Sequence, residues 1–194
     1  MTLEHPYSSG DYHFGDGSDA GRLIRLPVEQ RDNGEWKSWE APYLPPKNVP
    51  KDALIVDVGA EEGNTAVFFF EHGYTNLRLI EPHPPFFENL VHNAEVLRSL
   101  GCKVDLCLEP FRADHLKDAG FIKIDAEGAE WEIDLANLGI PWGGELHMKT
   151  QPDANGRYDY YISIGRFRGD GRKHIRQLDS DVMEKKNWTF FFEE

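Results

Sequence analysis

A chain of 194 residues, 40% apolar and 28% charged, is long enough for one domain with a full core and too apolar for intrinsic disorder. Its formal net charge of -13 argues against a non-specific nucleic-acid binder or a polybasic membrane-surface protein. No apolar run approaches the ~18 residues that a membrane span needs, and the opening "MTLEHPYSSGDYHFGDG" has neither the basic start nor the apolar centre of a secretion signal.

Residues 1–50 are rich in Gly, Pro, Asp and Ser and read as an irregular extension packed on or capping the rest. Within them "RLIRLPV" (22–28) predicts a short strand, and "APYLPPKNVP" (41–50) an extended lead-in held open by its prolines. From residue 53 strands and helices alternate. "ALIVDV" (53–58) is a first strand, and "NTAVFFFEHG" (64–73) a helix with Asn64 as cap and Gly73 as stop. "NLRLIEP" (76–82) is a second strand, broken by Pro82. The clearest helix is "PPFFENLVHNAEVLRSLG" (84–101), where Phe86, Phe87, Leu90, Val91, Ala94 and Leu97 recur at three- and four-residue steps and Gly101 closes it. "KVDLCL" (103–108) alternates as a third strand, "GFIKIDAEG" (120–128) gives a fourth, "AEWEIDLANLG" (129–139) a short helix and "GELHMKT" (144–150) a fifth strand. Further on, "RYDYYISIGRF" (157–167) predicts a strand, "DSDVMEKKN" (179–187) a helix and "WTFFFEE" (188–194) a terminal strand. There is no internal repeat.

This alternation predicts an α/β fold, with residues 51–194 forming a doubly wound, mostly parallel Rossmann-like sheet. A ligand is then expected beyond the carboxyl ends of the strands, at the switch point. Cys102 and Cys107 lie on or beside one strand at odd separation, so they face opposite ways and no mutual disulfide is expected. A reduced, cytoplasmic setting is the default expectation. No Cys/His cluster suggests zinc.

The strand ends carry the acids. Asp57, Gly59, Glu61 and Gly63 follow the first strand, Glu81 the second, Glu109 the third, and Asp125, Glu127 and Glu130 the fourth. A glycine turn followed 18 residues later, from Gly63, by an acid at the next strand end fits a nucleoside, the acid accepting both ribose hydroxyls. A dinucleotide site prefers G-x-G-x-x-G, with its pyrophosphate on a helix N-terminus. Here the turn is D-V-G-A-E-E-G, and its carboxylates would repel phosphate. They suit a cationic, phosphate-free donor, so S-adenosylmethionine is favoured over NAD.

"IVDVGAEEGNTAVFFF", "LRLIEPHPPFFENLVHNAEV" and "FIKIDAEGAEWEI" resemble the FkbM-like methyltransferases, a branch of the class I S-adenosylmethionine-dependent enzymes. The strand-end "EP", Asn93 and "KIDAEGAE" are the specific parts, and the likeness spans roughly residues 53–148. The family pattern usually has Asn where this chain has Glu61. The resemblance implies that Gly59 and Gly63, with Glu61 in the same turn, line the methionine end of the donor and that Asp57 shapes the turn. Glu81 would bind the ribose, Glu109 or its neighbours would lie near adenine, and Asp125 and Glu127 would face the transferred methyl and the acceptor. It also implies O-methylation, often of sugars or secondary metabolites, so the partner is a small-molecule or saccharide acceptor and no nucleic acid.

Attack by a neutral hydroxyl needs a base, and Asp125, Glu127 and His147 are the candidates, His147 ranking first by its ordinary pKa. Alternatively Asp125 and Glu127 could hold a divalent cation that orients the acceptor. Glu130 reads as a structural carboxylate in a helix's first turn. His83, His92 and His115 read as surface residues, and Phe68, Phe69 and Phe70 as core. Arg166, Arg168, Arg172, Lys173, His174 and Arg176 read as a solvated loop face, or more sharply as a site for an anionic acceptor. Trp36, Trp39, Tyr43 and Trp142 either wall the acceptor pocket or pack the extension on the core. Two other readings are open: a non-catalytic S-adenosylmethionine-binding module and an NAD-dependent enzyme.

Overall fold

The computed structural model describes residues 9–12, 24–27, 43–126, 130, 133–135, 137–149, 161–170 and 175–177. Their elements are β1 (Ser9–Tyr12), β2 (Ile24–Pro27), β3 (Leu54–Val58), α1 (Asn64–Glu71), β4 (Asn76–Ile80), α2 (Pro84–Ser99), β5 (Lys103–Cys107), a 3₁₀ turn (Ala113–Leu116), β6 (Ala119–Ile124), β7 (Trp142–Lys149), β8 (Tyr161–Gly169) and β9 (Ile175–Gln177). β1 and β2 pair antiparallel as a separate ribbon, and the other seven strands form one sheet in the order β5-β4-β3-β6-β7-β8-β9. The pairings from β5 across to β7 are parallel, while β8 and β9 run antiparallel to their neighbours. The fold is therefore α/β, with a mixed, mostly parallel Rossmann-like sheet.

Alternation along the central strands divides the core. Ile55, Leu77, Leu79 and Phe121 pack on one face with Phe69 of α1 and Leu90, Ala94 and Leu97 of α2. Ile24, Tyr43 and Val49 are buried in that same cluster, so described parts of residues 1–50 lie against the helical face. Val56, Val58, Ile80, Ile122, Ile124, Trp142, Leu146 and Phe167 form the other face. β3 and β6 are central and buried on both sides over most of their length, which is why they read as largely apolar runs. Cys102 joins the first core and Cys107 borders the second, and both are free thiols. No described helix is long and apolar enough to cross a membrane.

Helix ends follow the sequence signals with one shift. After α1, Gly73 N–H bonds the Phe70 carbonyl and Tyr74 N–H the Phe69 carbonyl; after α2, Gly101 and Cys102 repeat the pattern on Arg98 and Leu97. Both are Schellman motifs with the expected apolar clasp, the Tyr74 and Phe69 rings meeting edge to face at 6.3 Å. At the start of α1, however, Gly63 occupies the cap position, and Asn64 is the first helical residue. Phe86 and Phe87 of α2 are only half-buried, whereas Asn89 and Asn93 are buried.

The helix predicted over 129–139 is not there among the described residues. Ile133 bonds back to Glu130, Leu135 to Ile133 and Asn137 to Asp134, spacings that make turns and not an α-helix. The Asn137 amide also donates to the Asp134 carboxylate. The segment that read as a basic loop face holds strands instead: Arg166 and Arg168 lie in β8 and Arg176 in β9, with Arg168 and Arg176 register partners. Trp36, Trp39, Arg172, Lys173, His174, the 179–187 helix and the 188–194 strand lie outside the described residues.

Candidate functional site

The chain reverses its lateral direction between β3 and β6, the switch point of the sheet. An open cleft of about 210 Å³ lies there, lined by Val58, Gly59, Glu61, Ile80, Glu81, Pro82, His83, Phe86, Phe111, Asp125 and Ala126. Of the residues assigned to a donor from the sequence, Gly59, Glu61, Glu81 and Asp125 meet at this cleft. Asp57, Gly63 and Glu109 are not among its walls, and Glu127 lies outside the described residues.

Gly59 has φ +80°, and a Cβ there would run into the carbonyl oxygen of Asp125. The close approach that its glycine serves is thus to the protein's own β6 end. Asp57 is fully buried, and its Oδ1 lies 3.0 Å from Lys123 Nζ, which also donates to the Gly59 carbonyl at 2.7 Å. Burial pushes the Asp57 carboxyl above its usual range, against the pull of Lys123. Asp57 therefore supports the turn from beneath. Gly63 likewise serves packing, since a Cβ on it would press the Leu90 side chain of α2.

Glu81 is 4% exposed at the end of β4. Its Oε2 accepts the Glu61 N–H at 2.9 Å and its Oε1 the His83 N–H at 2.7 Å. Burial raises its pKa, opposed by those two backbone bonds and by the charges of Lys123 and His83. Two backbone donors fix the carboxylate and still leave each oxygen a second acceptor site. Apolar walls stand beside it: Ile80, Phe86, whose ring tilts against His83 at 5.6 Å, and Phe111. Glu109 itself is held away by Arg112 and by His115 Nε2 at 3.2 Å. His115 is buried, not a surface residue, because Phe111 and Glu109 enclose it and its Nδ1 accepts the Arg112 N–H at 3.1 Å.

At the β6 side of the cleft Asp125 opens into a second cluster. Lys123, Asp125, Glu145 and His147 share the parity of Phe121 and so lie on the helical face of the sheet. Tyr43 Oη lies 3.2 Å from Asp125 Oδ2 and 3.4 Å from Glu145 Oε2. His147 Nε2 is 4.0 Å from Asp125 Oδ1 and 3.8 Å from Glu145 Oε1, while its Nδ1 is 3.0 Å from Glu130 Oε1. The same Glu130 oxygen accepts the His147 backbone N–H. Burial lifts the Asp125 carboxyl to about 6, with Glu145 adding to the rise and Lys123, His147 and Tyr43 opposing it. For His147 burial works against the charge, but the Glu130 bond and the carboxylates of Asp125, Glu130 and Glu145 outweigh it and raise the pKa. A bulge adjoins this residue: Leu146 and His147 pair with Gly165 and Ser163, skipping Ile164. Among the described residues no group of three or more His, Cys, Asp or Glu side chains is arranged to hold a metal ion.

Glu145 and the partnership of Glu130 with His147 were not anticipated from sequence. Glu145 was within reach, because "ELH" places it two residues from His147 on the same face of a strand. The helix expected over 129–139 would make Glu130 a helix-terminal charge, whereas the structure sets it against His147.

The chain is similar in fold to several solved structures, methyltransferases among them. An RNA methyltransferase from Salinibacter ruber, in complex with S-adenosyl-L-homocysteine, aligns over 50% of this chain and 67% of its own, at 16% identity and a TM-score of 0.42. A precorrin-6y C5,15-methyltransferase from Geobacter metallireducens aligns over 63% and 68%, at 14% identity and TM-score 0.47. A chain of the fibrillarin/Nop5p complex aligns over 73% and 71%, at 16% identity and TM-score 0.45. Likeness at this distance concerns fold and not activity. No protein-family model matches the chain, and no curated protein matches it in sequence.

Proposed function

We propose that this protein is an S-adenosylmethionine-dependent methyltransferase of the FkbM-like kind, acting on a hydroxyl of a small molecule or saccharide. The observation that carries the reading is the cleft at the switch point, with the fixed Glu81 carboxylate at the β4 end, apolar walls beside it and Asp125 at the β6 end. That donor set fits the adenosyl group. Glu81 has acceptor capacity for two ribose hydroxyls, Phe86 and Phe111 offer faces for adenine, and three wall carboxylates disfavour a pyrophosphate while suiting a sulfonium. When bound, the sulfonium supplies an electrophilic methyl group, so the chain's own task is to align an acceptor and receive its proton. Asp125, on the cleft wall with His147 4.0 Å behind it, is the candidate to receive that proton.

Calorimetry tests the donor site. S-adenosylmethionine should bind and NAD should not, and Glu81→Ala should weaken binding about tenfold or more through the loss of charge-assisted hydrogen bonds. Unchanged affinity in Glu81→Ala would remove the site assignment. Release of S-adenosylhomocysteine with a panel of hydroxylated acceptors tests turnover, and binding with no release across sugars and small alcohols would leave a binding module.

A further inference from the structure

His147 is the best-held ionisable side chain of the cluster, and the manner of its holding assigns the roles of its neighbours. Glu130 has no solvent exposure, and a single oxygen of it meets both the backbone N–H and the Nδ1 of His147. A carboxylate so deeply buried requires a compensating charge or proton nearby. The imidazole's far nitrogen faces two more carboxylates, Asp125 from the end of β6 and Glu145 from its own strand. From the segment over the sheet, Tyr43 Oη bridges those same two acids, and Lys123 lies behind Asp125 on β6, paired to Asp57. Three acids thus surround one ring. Of the ring and Asp125, Asp125 lines the cleft.

We propose that Glu130 is a positioning residue that holds His147 as an imidazolium behind Asp125, and that Asp125, not His147, is the base that takes the acceptor's proton. The proposal rests on the methyltransferase reading for the reacting hydroxyl alone. In the step, the acceptor O–H bond breaks and its proton goes to the Asp125 carboxylate. The acceptor oxygen forms the new O–C bond as the C–S bond of the methyl sulfonium donor breaks, leaving a neutral thioether. The fixed cation stabilises ionised Asp125 before the step, and protonated Asp125 then releases its proton through the open cleft.

The test is nitrogen-detected NMR of His147 in the full-length protein. In the wild type its ring nitrogens should report a titration midpoint above that of an ordinary imidazole. In Glu130→Gln, whose amide oxygen still accepts both N–H groups, the titration midpoint of His147 should fall. Its acidic activity limb, set by Asp125, should move to higher pH, with kcat down about tenfold and KM for the donor little changed. A midpoint at or below that of an ordinary imidazole in the wild type overturns the proposal without need of any variant. An unmoved midpoint in Glu130→Gln overturns it as well. Failure to bind S-adenosylmethionine would instead overturn the methyltransferase reading, while leaving the NMR result on Glu130 and His147 intact.

Discussion

Glu61 has φ +47°, a left-handed conformation that costs a residue with a Cβ about 1–2 kcal/mol. Asn tolerates that region better, which gives a backbone reason for the Asn of the family pattern at this position. Glu61→Gly or Glu61→Asn should therefore raise stability by about 1 kcal/mol, measured by denaturant unfolding, because the N–H that serves Glu81 is retained. Gly59→Ala should do the reverse and lose several kcal/mol, since its Cβ would occupy the space of the Asp125 carbonyl oxygen. Asp125 differs again. Its carboxyl titrates near 6 in the fold against an ordinary 3.8, so the charged form is held at a cost above pH 6. Asp125→Asn should gain about 1 kcal/mol at pH 7.5 while turnover is lost, and a variant with full turnover would remove Asp125 from the chemistry. At this scale the sequence showed which side chains matter better than what they touch. Asp57 shapes the turn as expected, but through Lys123, 66 positions away along the chain, and Gly63, expected to line a ligand, faces Leu90, 27 positions away.

Asn93 shows how one side chain joins elements. Its Oδ1 accepts the Arg25 N–H at 2.7 Å, and its amide donates to the Arg25 and Glu62 carbonyls. The amide thus stands in for a neighbouring strand and ties β2 and the glycine turn to α2. Asn93→Asp would set a carboxylate against two carbonyl oxygens at a fully buried position. It should destabilise the protein by about 3 kcal/mol and expose residues 24–27 to limited proteolysis. The long periodic helix α2 and the apolar strands β3, β4 and β6 were legible because burial on a fixed face imposes a period. β1 and β9, four and three residues long, carry too few side chains for any period, and their pairing is set by tertiary contact. The 129–139 stretch has helical spacing of apolar groups, but the backbone bonds of Ile133, Leu135 and Asn137 are those of turns.

Across the whole molecule the cited carboxyl shifts mostly share a sign. Asp57, Glu81 and Asp125 all bind protons more tightly when folded, and so does His147. Their stabilising contribution is complete below the unfolded values and is lost as pH rises through the folded ones, for Asp125 between 3.8 and about 6. The exposed Asp114, lowered by its bond to Arg112, opposes this weakly and only near and below its ordinary pKa. The net charge of -13 adds self-repulsion at higher pH. Thermal unfolding should accordingly occur several degrees higher at about pH 5 than at about pH 8, and a midpoint that climbs between those values would contradict the burial of these acids.

The Lys123 ammonium reaches across from β6 to clasp the carbonyl of Gly59, 64 positions earlier in the chain. The first half of the molecule, synthesised alone, would consequently keep the bonds from Glu81 and Asn93 to the glycine loop but lack this clasp. A nascent chain halted before Phe121 should therefore hold that loop less firmly than the full-length protein does.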